Sequence, residues 1–178
     1  MPFTPYHFGP SGFIGLVLRK WIDFPVFVLA NVVVDLEVLA VAYFGLGHPV
    51  HRYFHTFLFG TVAGLVWGLV AYRLRGLFKK IMKILQIPYQ TNLLKMVISG
   101  ILGVWLHVLI DGIYHWDVRV LWPSKKRPLY RYWGLDKSDV KNICITFIIL
   151  AVIFYVITVI YRRKRKKSRA ISDEQLKE

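Results

Sequence analysis

Three runs of this chain, residues 24–46, 93–115 and 143–161, are apolar for long enough to cross a bilayer as helix. A hydrocarbon core of roughly 30 Å takes about 20 helical residues. Inside it, only a helix or a closed barrel satisfies its own backbone polar groups. A fourth run, 57–74, is slightly short but uncharged up to Arg73, and its Gly60, Gly64 and Gly68 recur every four residues. That spacing lets two helices pack closely in lipid. A shorter segment, 10–20, opens on Gly-Pro-Ser like a helix start and ends at Arg19 and Lys20. It is too short to span alone and reads as a buried or partly inserted helix. The expected fold is therefore an all-α polytopic membrane bundle of about five helices.

The remaining composition agrees with membrane lipid as the main partner. Of 178 residues 56% are hydrophobic, yet the formal net charge is +14. The positive residues fall between and after the apolar runs instead of covering a soluble surface, which argues against nucleic acid. Cys144, the one cysteine, lies inside an apolar run, so neither a disulfide framework nor a thiolate metal cage is available. The first twenty residues place their positive charges after the apolar stretch, unlike a cleavable signal peptide, so the spans themselves are expected to direct insertion.

Orientation follows from Lys and Arg in the short flanks. Arg19 and Lys20, the 73–95 connection and the "RRKRKKSR" tail after 161 share one face. Arg52 and the 116–142 loop lie on the other, where Asp117, Asp136 and Asp139 offset the positive charge. Residues 1–161 are thus expected to form an integral domain of the plasma membrane, and 162–178 a disordered basic tail in the cytoplasm. With five helices, the N-terminus lies on the non-cytoplasmic side. The oligomeric state is left open.

Against this apolar background the stretch "HVLIDGIYHWD", residues 107–117, stands out. At about 100° per residue, His107, Asp111 and His115 line one helical stripe. The same arithmetic puts His51 and His55 on one face of a helix expected to start near Pro49. Asp35 lies deep in the first run, with Asn31 four residues earlier, and an ionisable group at such depth is costly unless paired or functional. Glu37, two residues on, points about 200° away in a straight helix, so both acids face inward only if the helix bends. Imidazole and carboxylate without thiolate suit zinc first, with manganese or iron as alternatives, and the stripes can gather one or two ions. Such ions activate water and clamp a phosphoester, and a carboxylate that is not a ligand then takes the proton. Glu37 and Asp117 are the candidates for that role. His48, before Pro49, reads as a turn histidine.

The ordered pattern "MPFTPYHFGP", "VDLE", "HRYFH" and "HVLIDGIYHWDV" followed by "WP" resembles a family of membrane-bound metal-dependent hydrolases, the LexA-binding, inner-membrane-associated hydrolases. That family is in turn distantly similar to the zinc-dependent phospholipase C group. The resemblance covers roughly residues 1–135. It implies His7, Asp35, His51, His55, His107 and Asp111 as metal-site residues, with His115 as an extension. The family's Pro-Asp-x-Asp stands here as Val34, Asp35, Leu36 and Glu37, which leaves the role of the second acid open.

The expected function is metal-dependent hydrolysis of a small or lipid phosphoester by a metal-bound hydroxide. Three alternatives stay open: a metal or proton transporter, a haem-binding membrane protein, and a scaffold without catalysis.

Overall fold

The computed structural model describes residues 4–175. Among these, a 3₁₀ turn at Thr4–His7 leads into six α-helices: α1 (Phe8–Val17), α2 (Phe24–Tyr43), α3 (Phe57–Arg73), α4 (Arg75–Ile84), α5 (Leu93–Tyr114) and α6 (Lys137–Gln175). The all-α reading holds. By length and composition α2, α5 and α6 can cross a membrane, and α3 with α4 can form a fourth span bent by 76°.

Four of the helices, α2, α3, α5 and α6, start where a short polar side chain meets an orphan amide. The Asp23 carboxylate accepts from the Val26 N–H, the Thr56 hydroxyl from Phe59 and the Asn92 side chain from Lys95. Ahead of α6, Asp136 accepts from the backbone of Ser138 and Asp139 while Asp139 accepts from the Asp136 N–H, a reciprocal cap.

The helices pack through small residues. The Gly60, Gly64 and Gly68 stripe of α3 lies directly on α5: a Cβ at Gly64 would fall 2.6 Å from Ile101 Cα, and one at Gly68 2.5 Å from Val97 Cα. Only glycine permits this approach. The Trp67 indole tethers α3 to α2 by donating to the Val26 carbonyl at 2.9 Å. Outward faces remain apolar, as lipid requires: Val62, Val66 and Leu69 of α3 and Val152 and Ile157 of α6 are exposed.

Two segments differ from the sequence expectation. Residues 49–56 form turns and bends, not the start of a helix. The reason lies in Glu37, whose carboxylate accepts from the backbone N–H groups of Arg52, Tyr53 and Phe54. Amides held this way do not enter a helical ladder, and α3 begins only after the Thr56 cap. The basic tail, expected to be disordered, continues α6 as helix to Gln175. Lys and Arg are good helix formers, and no Gly or Pro interrupts the run. Residues 176–178 lie outside the described part of the chain.

Connectivity brings the start of α1, the ends of α2 and α5, the starts of α3 and α6 and the 115–136 loop to one end of the bundle. In that loop Val118 and Val120 are almost fully buried against Ala30, Val34, Val104 and Val108. The Val120 carbonyl accepts from the Phe57 N–H at 3.0 Å. These anchors fold the loop back so that Asp117, beside Val118, faces into the bundle.

Candidate metal centre

Asp111, on the last turn of α5, is the hub. One carboxylate oxygen, Oδ2, lies 3.1 Å from His107 Nε2, 3.5 Å from His55 Nε2 and 3.9 Å from His51 Nε2. The other, Oδ1, lies 3.0 Å from His7 Nε2 and 3.9 Å from His115 Nε2. Asp35 enters from α2, with Oδ1 3.3 Å from His107 Nε2 and 3.6 Å from His55 Nε2. All seven residues expected to form a metal site meet in this one constellation.

Four of them form a tighter group. Asp35, His55, His107 and Asp111 each offer one ligand atom within 4.8 Å of the others. Ligand atoms around a single tetrahedral ion with bonds of about 2.0–2.2 Å sit roughly 3.3–3.6 Å apart. The four approaches above, 3.1–3.6 Å, match that spacing.

Three of the imidazoles are held from outside through Nδ1. His55 Nδ1 lies 3.1 Å from Glu37 Oε2, His51 Nδ1 lies 2.9 Å from Asp117 Oδ2, and His107 Nδ1 lies 3.3 Å from Asn31 Oδ1. In each case Nδ1 carries the proton and donates outward, which leaves Nε2 with its lone pair turned inward. Partners of this kind orient metal-bound histidines. The geometric problem of two acids two residues apart on α2 is thereby resolved. Asp35 and Glu37 address opposite nitrogens of the same His55 ring.

His7 and His115 complete the hub from the helix ends. His7 stacks on His107 with ring centroids 4.4 Å apart, and the Ser11 hydroxyl donates to its carbonyl at 2.7 Å. Ser11 in turn accepts from Asn31, joining α1 to α2. The Ser11 contribution was missed in the sequence, although its position four residues after His7 was a signal. His115 does not extend the α5 stripe as helix; it caps the helix in an extended conformation and still reaches Asp111.

The donor set fits a cation. His7 Nε2, His55 Nε2, His107 Nε2 and Asp111 Oδ1 are buried without a hydrogen-bond partner among the described residues. Unpartnered buried polar atoms are costly, and here they converge. The acids Asp35, Glu37, Asp111 and Asp117 bring four negative charges to a site otherwise built of imidazoles. Burial drives the pKa of His115 down to about 4, keeping that ring neutral and able to ligate near neutral pH. At His55 burial opposes protonation, but the nearby carboxylates of Asp35 and Glu37 outweigh it and raise the pKa. Asp117, despite its burial, is held below the usual carboxylate range by its hydrogen bonds with His51.

The two acids expected to move protons are both bound to histidine. Every Glu37 oxygen is occupied, by the 52–54 amides and by His55. Asp117 accepts from His51 Nδ1 and from the backbone of Val50 and His51, and it borders a cavity of about 290 Å³ together with His51. His48 is exposed and outside the constellation.

No curated protein and no solved structure matches the chain. A family model does, that of the YdjM inner membrane protein, over residues 21–171. The match takes in Asp35, Glu37, His51, His55, His107, Asp111, His115 and Asp117 and leaves His7 outside. Its description gives a membrane location and no reaction. With apolar helices and a match over most of its length, the chain is an integral inner-membrane protein that belongs to the YdjM family.

Proposed function

We propose that the chain is a membrane-embedded, metal-dependent hydrolase acting on a phosphoester at the edge of the bilayer. The observation that carries this reading is the quartet Asp35, His55, His107 and Asp111, three of them buried, on which the unpartnered Nε2 atoms of His55 and His107 converge, with His51 linking it to a cavity. Zinc suits the donors best, and manganese and iron accept the same set. When bound, a divalent ion supplies Lewis acidity and brings the pKa of a water to about 7.

The chain's own residues divide the remaining work. Asp35, His55, His107 and Asp111 would hold the ion, while His7 and His115 stand at the other oxygen of Asp111. Glu37 and Asn31 fix the rings of His55 and His107 with Nε2 facing the ion. Glu37 is better read as a positioning residue than as the proton acceptor, because no oxygen on it is left uncommitted. The proton goes instead to His51 Nε2, and Asp117 holds the Nδ1 proton of that ring and stabilises the imidazolium as it forms. His51 and Asp117 suit this role because they alone of the constellation border the cavity. A haem reading is less favoured, since the inward nitrogens face carboxylates and not an open plane.

The site belongs on the non-cytoplasmic side under the positive-inside rule. Basic residues gather at the opposite end, where Arg162 and Arg163 donate to Gln86 and Lys95 donates to the Arg19 carbonyl. The test is metal content by mass spectrometry together with hydrolysis of bis-p-nitrophenyl phosphate and short-chain phospholipids by purified protein. His107→Ala and Asp111→Ala variants are expected to lose both metal and turnover. Full activity in both variants of an active protein would sink the reading.

A further inference from the structure

The cavity beside His51 carries information that the metal centre does not. It holds about 290 Å³, near the lower end of small-molecule pockets at roughly 300–1,000 Å³. Arg52 and Arg119 line it, and neither forms an ion pair with a carboxylate among the described residues. The nearby acids are committed elsewhere, Glu37 to His55 and Asp117 to His51.

The two arginines are held differently. The Arg52 guanidinium is braced on its outer side, donating from Nε to the Pro49 carbonyl at 3.1 Å and from Nη2 to the Leu46 carbonyl at 2.9 Å. Bracing fixes the plane of the fork before any ligand arrives, which lowers the entropy cost of binding. The half-buried Arg119 side chain donates to no acceptor among the described residues. Nor does it lie over an aromatic ring among them, as Arg127 on the same loop does over Trp116 at 5.2 Å. Two guanidinium groups lining one cavity, neither ion-paired among the described residues and with the one lining carboxylate, Asp117, already bound to His51, suit a tetrahedral anion with several acceptor oxygens better than a single planar carboxylate.

Aromatic rings also line the cavity, those of Tyr53 and Trp122. Tyr53, Phe59 and Trp122 form a cluster with ring centroids 5.3–5.8 Å apart. Exposed Leu58 and Leu121 flank it on the outer surface. Aromatic rings of this kind settle where bilayer meets water. One molecule can thus lay an acyl chain against the rings while presenting an anionic group to the arginines.

We propose that Arg52 and Arg119 form a binding subsite for a phosphoryl group carried on an amphiphile, delivering its phosphorus to the metal centre. As a substrate site this rests on the hydrolase reading; as a phosphate-binding site it can be measured separately. The probes are inorganic phosphate, dihexanoyl phosphatidic acid and hexanoate, titrated calorimetrically into the metal-loaded full-length protein in detergent micelles. Both phosphates should bind, the lipid one more tightly, and hexanoate should bind at least tenfold more weakly than the lipid phosphate. Arg119→Gln, which breaks no internal contact, should weaken both phosphates tenfold or more while metal content stays unchanged. Arg52→Lys keeps the charge but loses the braced fork, and should weaken them as well.

Undiminished phosphate binding in both arginine variants would overturn the subsite, as would hexanoate binding equal to that of the lipid phosphate. Equal affinity for inorganic and lipid phosphate would overturn the amphiphile and leave a free phosphate compound as the ligand. Arginine-dependent phosphate binding without hydrolysis of any phosphoester would remove the hydrolase reading and keep the subsite. Hydrolysis indifferent to both arginines would do the reverse.

Discussion

Two carboxylate–imidazole pairs, Glu37 with His55 and Asp117 with His51, look alike in hydrogen-bond terms and differ in what surrounds them. Each joins an acid to Nδ1 at about hydrogen-bond distance, 3.1 Å and 2.9 Å. In the Glu37 pair His55 is fully buried, and Glu37, itself only partly buried, spends its remaining capacity on three loop amides. The Asp117 pair borders the cavity. Under the proposed function one motif would serve two purposes, fixing a metal ligand at His55 and supporting proton transfer at His51, which borders the cavity.

Removing what both pairs serve should have the largest effect. Asp111→Asn leaves five imidazoles facing an amide, and metal affinity should fall by more than the 10–100-fold typical of losing an outer partner, with turnover following. Calorimetric zinc titration of the variant measures it. Next comes Asp117→Asn, expected to lower kcat about 10²–10⁴-fold, the usual worth of general base catalysis, with bound metal retained. If metal were lost instead, Asp117 would be a ligand or a support like Glu37, and the distinction between the pairs would collapse.

Glu37→Gln should do the opposite, lowering metal affinity about 10–100-fold and stability by about 1–3 kcal/mol through its unpaired loop amides, as read by metal titration and thermal denaturation. Asn31→Ala removes only the outer partner of His107 together with one link to Ser11, and a smaller loss of metal affinity, about tenfold, should appear in the same titration. His48→Ala, on the exposed side of Pro49, should change neither metal content nor kcat measurably. A large effect there would bring a sixth imidazole into the constellation.

The chain declared much of this in advance, for physical reasons. Lipid imposes long apolar helices, so the spans are visible as composition, and it penalises ionisable groups, so Asp35, His107 and Asp111 stand out by being misplaced. Glycines at four-residue spacing announced the α3–α5 contact because close backbone approach admits little else. What stayed hidden depends on tertiary contact. Residues 49–56 have no helix-breaking sequence beyond Pro49, and the capture of their amides by Glu37 and Asp117, from distant parts of the chain, keeps them from coiling. Asn31 could be placed near Asp35 by helical arithmetic, but its bond to His107 crosses 76 residues. Arg119 carries no local mark at all; one loop arginine reads like the next until Arg127 is found stacked on Trp116 and Arg119 is not.

The elbow at Leu74, where α3 turns into α4, sets a depth scale for the molecule. The seventeen residues of α3 rise about 26 Å at 1.5 Å each, close to one hydrocarbon thickness of roughly 30 Å. The helix beyond the elbow is amphipathic, with Lys79, Lys80 and Lys83 exposed and Phe78 and Met82 buried, the make-up of a segment that floats at the surface. Under the proposed function, with α4 lying at one leaflet, α3 would bring its opposite tip, and His55 two residues before it, near the phosphates of the other leaflet, where a lipid substrate would meet the quartet without leaving its row.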